Sequence, residues 1–191
     1  MPKVLAFAGS IRTGSFNQML IKVAVERVRA AGLEVTLIDL ADYPLPLYNG
    51  DLEAKSGQPE NSEKLYKLFL EHDALLLACP EYNSSITPLL KNTIDWVSRP
   101  REGDEYLAAY QGKVIALTSA SPGGLGGMRA LAEVRSIFGN IGSLVIPTQV
   151  AVPKADKAFS DEGELTDDSV VKKLDGLAEQ FVKVTKRIAE K

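Results

Sequence analysis

The stretch AGSIRTGSFNQML, residues 8–20, carries polar side chains whose types and spacing suit an anion. Arg12 is the one cation in this window, and the short donors around it are Ser10, Thr13, Ser15 and Asn17. Guanidinium and hydroxyl groups are frequent partners of phosphate oxygens in proteins. The stretch therefore predicts a phosphate site, provided that a turn at the start of a helix brings these groups together.

The residues after the second glycine of this stretch exclude a triphosphate. A P-loop needs a lysine that bridges the outer phosphates, followed by a hydroxyl residue that holds Mg²⁺. Here Gly14 is followed by Ser15 and Phe16, and the loop also lacks the GxGxxG spacing of a dinucleotide fold. The donors suit one phosphate. The alternative is that Ser15 only caps a helix and that Gly9 and Gly14 only turn the chain.

Two further loops have a composition that suits a ligand. The stretch CPEYNSS, residues 79–85, combines a rigid proline with an aromatic ring and polar groups. The stretch SASPGGLGG, residues 119–127, contains four glycines, which let a backbone approach a ligand closely. Neither loop contains an acid–base pair, so no catalytic side chain is predicted.

Several residues are of types that often occur in catalytic sites, and we predict other roles for them. We expect Cys79 to be a packed apolar residue and His72 to be solvated. Trp96 is expected in the core or in a subunit interface. Asp95 and Arg99 lie four residues apart on a predicted helix and are expected to form a local ion pair.

Strands and helices must position these loops. Short apolar runs alternate along the chain with segments of helical period, and this alternation is typical of βαβ units. The predicted strands are Lys3–Ala8, Glu34–Asp39, Ala74–Cys79, Lys113–Ser119 and Leu144–Val150, and the predicted helices are Ser15–Ala31, Asn61–Glu71, Pro88–Ser98, Gly127–Phe138 and Ser169–Ala189. The intervening residues 41–61 and 152–168 are rich in Pro, Gly, Asp and Ser and are predicted as surface loops.

This pattern predicts a single α/β domain over residues 1–191: a doubly wound, five-stranded parallel sheet with helices on both faces. In the strand order 2-1-3-4-5, the first, third and fourth strands are neighbours. The loops after them then meet beyond the carboxyl ends of the strands, where ligands bind in folds of this type.

Composition narrows the class of protein. The chain of 191 residues is 45% hydrophobic and has a formal net charge of −3, so it has no basic field for nucleic acid. Its apolar runs are too short to cross a membrane, and no signal peptide is recognised. A single cysteine fits a reducing compartment and excludes a cysteine-rich metal site, so we predict a cytoplasmic protein without a bound metal.

The motifs resemble those of the NAD(P)H-dependent FMN reductase family of flavodoxin-like proteins, which includes quinone, azo and chromate reductases. The motif GSxRxxSxN is matched by Gly9, Ser10, Arg12, Ser15 and Asn17, and a second motif is matched by PEYN, residues 80–83, continuing into LKNTIDWVSRP. The resemblance implies that FMN is held by its phosphate in the first loop and by its ribityl chain and ring in the other two. The implied cofactor-binding residues are Ser10, Arg12, Ser15, Phe16, Asn17, Pro80, Glu81, Tyr82, Asn83, Ser119, Ser121 and Gly124.

The resemblance also implies an activity. Hydride would pass from NAD(P)H through flavin N5 to a quinone-like or other small acceptor, such as an azo dye, a free flavin or a metal oxyanion, by a two-electron ping-pong mechanism. It further implies a homodimer or a dimer of dimers. An electron carrier like flavodoxin and a redox-sensing flavin module are the alternatives. The acceptor and the choice between NADH and NADPH stay open.

Overall fold

The computed structural model describes residues 1–160 and 162–190. The strands are β1 (Lys3–Ala8), β2 (Glu34–Leu37), β3 (Ala74–Ala78), β4 (Glu81–Tyr82), β5 (Ser85–Ile86), β6 (Val114–Ala120) and β7 (Leu144–Val152). The α-helices are α1 (Phe16–Ala30), α2 (Gly50–Ser56), α3 (Glu60–Leu70), α4 (Pro88–Val97), α5 (Met128–Asn140), α6 (Ala155–Ala158) and α7 (Asp168–Ala189), and a 3₁₀ turn spans Leu40–Asp42. In the described part of the chain, no helix is both long enough and apolar enough to cross a bilayer.

Five strands form one parallel sheet in the order β2-β1-β3-β6-β7, which confirms the predicted order 2-1-3-4-5. The central strand β3 is buried along its whole length. Its continuous apolar run, ALLLA, is typical of a parallel strand that helices cover on both faces.

Successive residues of β1 enter two separate cores because side chains alternate across a sheet. Val4 and Ala6 pack with α1 and α7, whereas Leu5 and Phe7 pack with α3, α4 and α5. Both faces of the sheet are therefore covered by helices, as predicted. The apolar stripe of α7, which runs from Val170 to Val182, closes the first core.

Two segments predicted as loops contain helices, which corrects the sequence interpretation. Residues 41–61 include α2 and the first residues of α3, and residues 152–168 include the single turn α6. The Asn49 side chain caps α2 by accepting a hydrogen bond from the Asp51 amide at 2.8 Å, and no residue of α2 is buried. A helix without a buried stripe has no apolar period, so α2 could not be predicted from periodicity.

Candidate active site

The carboxyl ends of β1, β3 and β6 are adjacent in the sheet, and the loops that follow them enclose a cleft of about 100 Å³. Ala120 and Pro122 also line the cleft, and the sequence did not predict them. Apolar residues at the end of a strand give no sequence signal of ligand binding. Asn83, Ser119 and Gly124 lie outside it. The other nine of the twelve predicted residues line the cleft: Ser10, Arg12, Ser15, Phe16, Asn17, Pro80, Glu81, Tyr82 and Ser121.

Helix α1 begins at this cleft, and its N-terminus has the character of an anion site. Ser15 is the N-cap residue and is buried, yet its side chain makes no capping hydrogen bond to the helix. The first turn contains no acidic residue. The unpaired amides and the positive end of the helix dipole therefore face the cleft without a neutralising carboxylate of their own.

Arg12 is exposed and folds back onto its own loop. Its guanidinium donates to the carbonyl oxygens of Thr13 and Gly14, both at 3.2 Å. Among the described residues it forms no ion pair with a carboxylate. Its charge is therefore not compensated within the loop, and its two contacts are neutral carbonyl groups that an anion could replace.

The side-chain amide of Asn17, which was expected to donate to a phosphate, is bonded to the protein backbone. It is buried, its Nδ2 donates to the carbonyl of Ala120 at 2.8 Å, and its Oδ1 accepts from the amide of Ala120 at 3.0 Å. The side chain thereby joins the first turn of α1 to the end of β6. Asn17 lines the cleft, but its amide chiefly fixes the first and third loops against each other.

The first loop is also packed closely against α4. A Cβ atom on Gly9 would lie 3.0 Å from Leu90 Cβ and 3.3 Å from Pro80 Cδ, so a larger residue would push these segments apart. Thr87 donates from Oγ1 to the Gly9 carbonyl at 2.8 Å and accepts from the Leu90 amide at 3.2 Å, which also caps α4. Thr87 precedes Pro88, and this pairing is a sequence signal of a helix start.

The PEYN loop forms a short hairpin. Strands β4 and β5 pair through Glu81 with Ile86 and Tyr82 with Ser85, and the turn residue Asn83 has a positive φ of 52°. This conformation places Asn83 at the exposed tip, outside the cleft lining. Tyr82 is 52% exposed and stands at the mouth of the cleft.

Beside Arg12 and Tyr82, the cleft continues into a second depression of about 230 Å³. Its walls are mostly apolar and include Ile11, Pro88 and Leu89. The neighbouring depressions thus combine polar donors at the start of α1 with an apolar surface beside the hairpin. This combination suits a ligand that has an anionic group at one end and a flat ring at the other.

Ser119 and Gly124, two predicted residues of the third loop, lie outside the lining of the cleft. Ser119 is fully buried and donates to the Cys79 carbonyl at 2.6 Å, beneath Gly127. Gly124 is exposed and outside the lining. Ser121 does line the cleft, and its Oγ accepts from the Gly123 amide at 3.2 Å.

His72 is not solvated, which corrects the sequence expectation. It is 5% exposed, with Nε2 placed 2.8 Å from Thr36 Oγ1 and Nδ1 placed 2.6 Å from the Leu68 carbonyl. It precedes β3 and so lies at the end of that strand opposite the cleft. Cys79 is fully buried, as expected, and burial raises the pKa of its thiol, so it stays protonated. Neither group offers a proton to the cleft.

The expected ion pair between Asp95 and Arg99 is absent. The Asp95 carboxylate pairs with Lys91 at 2.8 Å, and Arg99 Nε donates only to the Asp95 backbone carbonyl. Trp96 is fully buried, and its Nε1 donates to the Pro46 carbonyl at 2.7 Å. It therefore belongs to the core and holds the loop before α2 against α4.

Comparison with known proteins agrees with this geometry. Curated relatives include an NAD(P)H-dependent FMN reductase of Pseudomonas aeruginosa, 38% identical over 168 residues that cover 87% of this chain and 85% of the relative. A quinone reductase of Escherichia coli is 31% identical over 97% of this chain and 96% of its own length. Among solved structures, the flavoenzyme FerB of Paracoccus denitrificans, an NAD(P)H:(acceptor) oxidoreductase, superposes with a TM-score of 0.82 at 29% identity and covers 98% of both chains.

The family model that matches this sequence spans residues 2–157 and is described as NADPH-dependent FMN reductase. The matched segment contains β1 to β7 and all three loops of the cleft. The chain therefore belongs to the NADPH-dependent FMN reductase family.

Proposed function

We propose that the cleft binds FMN with its phosphate at the start of α1, and that the protein uses NAD(P)H to reduce quinone-like acceptors. Membership of the family makes the protein an FMN-dependent oxidoreductase. The observation that carries the placement of the cofactor is the N-terminus of α1, where the buried N-cap Ser15 makes no capping hydrogen bond.

The donor set fits a monophosphate. Ser10 and Ser15 supply two buried hydroxyl groups, Arg12 supplies a charge without a carboxylate partner among the described residues, and the amides of α1 supply further donors. Within residues 1–160 and 162–190, no lysine lines this cleft to meet a second or third phosphate. These residues would hold FMN and would leave the pyrophosphate of FAD without donors.

The apolar depression beside Arg12 suits the flavin ring. Tyr82, Pro88 and Leu89 give it flat or apolar walls, and Pro80 lines the neighbouring polar cleft. When bound, FMN supplies the redox chemistry, because its ring accepts hydride from a nicotinamide and gives two electrons to an acceptor. The chain itself binds, orients and partly shields the reactants.

Among the residues that the structure describes, no carboxylate, imidazole or thiol is free to act as a general acid or base in the cleft. Glu81 is the one carboxylate that the described part of the chain places in the lining, and its oxygens are bonded to Arg129 and to the start of α5. His72 lies at the other end of β3, and the thiol of Cys79 is buried. The rate is therefore set by the positions of donor, cofactor and acceptor.

A quinone-like acceptor is the substrate class that the site supports best. The half-exposed Tyr82 at the mouth of the cleft leaves room for a flat acceptor to stack on the bound flavin, and a curated relative is named as a quinone reductase. A flavodoxin-like carrier would dock a protein partner and would need no space for a nicotinamide. Family membership favours the enzyme over the carrier.

Anaerobic mixing tests this function directly. The purified protein, reconstituted with FMN, should lose its visible flavin absorbance with NADPH or NADH and regain it when a quinone is added. Free flavin and an azo dye serve as comparison acceptors. Flavin released by heating should be FMN. Absorbance that does not change with either nucleotide contradicts the proposed donor, and released FAD contradicts the monophosphate site.

We also infer a homodimer, or a dimer of such dimers. Large apolar side chains are exposed on the loop before α2, on the loop before β6 and around the start of α5: Leu47 at 78%, Tyr106 at 75%, Leu125 at 49% and Met128 at 52%. Exposed apolar groups of this size often mark contacts between subunits. Light scattering on the holoprotein tests this inference, and a monomeric mass at micromolar concentration contradicts it.

A cytoplasmic location is proposed on the cysteine content alone. The one cysteine is buried, and a chain with a single thiol forms no internal disulfide, which suits a reducing compartment. Cell fractionation with antibody detection tests the location.

A further inference from the structure

The β4–β5 hairpin is too small to hold itself in place. It has two residue pairs, and its turn puts Asn83 and Ser84 in the left-handed region at φ values of 52° and 69°. Two-stranded hairpins are at best marginally stable alone, and the left-handed region is unfavourable for serine. Other contacts must therefore fix the hairpin.

Both strands of the hairpin contact one helix, α5, through side-chain hydrogen bonds. Glu81 of β4 contacts Arg129, with 2.6 Å between Oε1 and Nη2 and 2.9 Å between Oε1 and Nε. Ser85 of β5 donates from Oγ to Glu133 Oε2 at 2.6 Å. Arg129 and Glu133 lie one turn apart on α5, so the two contacts hold the hairpin along one face of the helix.

The Glu81 carboxylate also caps α5. The N-cap residue of this helix is Gly127, which has no side chain to offer. Oε2 of Glu81 accepts from the amides of Arg129 at 3.1 Å and Ala130 at 3.4 Å. A carboxylate at a helix N-terminus is stabilised both by these amides and by the helix dipole. The Glu81 side chain is 9% exposed, whereas the side chain of Arg129 is 57% exposed.

The hairpin carries Tyr82, which lines both the polar cleft and the apolar depression. We propose that Glu81 and Arg129 are a positioning pair that holds Tyr82 at the mouth of the cofactor cleft, and that the Glu81 carboxylate makes no bond to the cofactor. The inference rests on the proposed function, because it takes the cleft to be the FMN site. It assigns Glu81 a role that differs from direct cofactor binding.

The test compares apoproteins of the wild type, Glu81→Gln, Tyr82→Ala and the double variant. Glu60→Gln is the matched control, because Glu60 pairs with Lys64 at 2.7 Å on α3, outside the residues that line the cleft. Two quantities are measured: hydrogen exchange of the backbone amides of residues 82–86, and the Kd for FMN from quenching of flavin fluorescence. Neither measurement depends on turnover.

In Glu81→Gln, hairpin exchange should become about tenfold faster, and the Kd for FMN should rise about tenfold, because a charge-assisted contact is lost. In the Tyr82→Ala background, the same change should alter the Kd by less than about twofold, because Glu81 acts through Tyr82. Glu60→Gln should leave both quantities unchanged. Arg129→Gln keeps the helix cap and should change both in the same direction by a smaller factor.

Additive losses of affinity in the double variant would overturn the positioning role, since they would mean that Glu81 contributes to binding independently of Tyr82. Unchanged exchange and unchanged affinity in Glu81→Gln would overturn it as well, while the wild-type affinity would still support the proposed function. Failure of the wild-type apoprotein to bind FMN would overturn the proposed function itself. The two failures are therefore distinguishable.

Discussion

Asn17 and Ala120 exchange two hydrogen bonds across a separation of 103 residues. Asn17 is 4% exposed, so its amide and the backbone groups of Ala120 have little access to water. Asn17→Ala would leave the amide and carbonyl of Ala120 without these partners. An unsatisfied buried backbone group costs about 1–3 kcal/mol, so the free energy of unfolding should fall by about 2 kcal/mol.

Urea denaturation of the apoprotein measures this loss. Asn140→Ala, at the exposed end of α5, is the control and should unfold near the wild-type midpoint. Asn17→Asp should be at least as unstable as Asn17→Ala, because an oxygen would then face the Ala120 carbonyl. If Asn17→Ala and Asn17→Asp both unfolded at the wild-type urea midpoint, the contact between Asn17 and Ala120 would contribute nothing to the free energy of unfolding.

The contrast between Asn17 and the sheet shows what the sequence predicted and what it did not. The five strands of the sheet followed from apolar runs such as β3, because a strand buried on both faces is apolar throughout, and their order followed from the doubly wound fold type. The place of Asn17 in the cleft followed from its motif. Its partner Ala120 did not, because a hydrogen bond to a distant backbone leaves no mark on the type of residue that provides it.

The same limit applies to His72 and Glu81. His72 lies between Thr36 and Leu68, and Glu81 contacts Arg129 on a helix 48 residues away. The local sequence indicated that His72 is solvated, and the family resemblance implied that Glu81 binds the cofactor, but neither indicated these tertiary contacts. Tertiary contacts satisfied their polar groups, which only the packed structure reveals.

Arg12 should be required for the phosphate and not for the flavin ring. Arg12→Ala removes the cation, so the Kd of the apoprotein for FMN should rise at least about tenfold. Riboflavin lacks the phosphate, so its Kd should stay within about twofold of the wild-type value. Arg187→Ala removes an exposed charge on α7 and is the control. Equal losses for FMN and riboflavin would place the phosphate away from Arg12.

Tyr66 should make stability depend on pH in the alkaline range. It is buried and donates to Asp104 Oδ2 at 2.7 Å. Burial first, and then the hydrogen bond to Asp104, raise the pKa of its phenol from 10.0 to about 12. The folded state therefore holds this proton more tightly than the unfolded chain. The resulting stabilisation is complete below pH 10 and is lost as the pH rises towards 12.

Urea denaturation of the wild type and Tyr66→Phe at several pH values tests this linkage. The difference in their free energies of unfolding should be constant from pH 7 to about pH 9 and should shrink above pH 10. Tyr106→Phe, at a residue that is 75% exposed, should show no such change. A difference that is independent of pH would mean that Tyr66 titrates at its ordinary pKa in the folded protein.

Turnover should follow ping-pong kinetics, because the donor nucleotide and the acceptor are expected to stack in turn on the same open face of the bound flavin, beside Tyr82 at the mouth of the cleft. Plots of reciprocal rate against reciprocal NAD(P)H concentration should then be parallel at several fixed quinone concentrations. No ionisable side chain is required, so Cys79→Ser and His72→Ala should keep most of the activity per folded molecule. His72→Ala should nevertheless be less stable, since its contacts with Thr36 and Leu68 are lost. Intersecting lines would show that both substrates are bound together and would contradict the shared site.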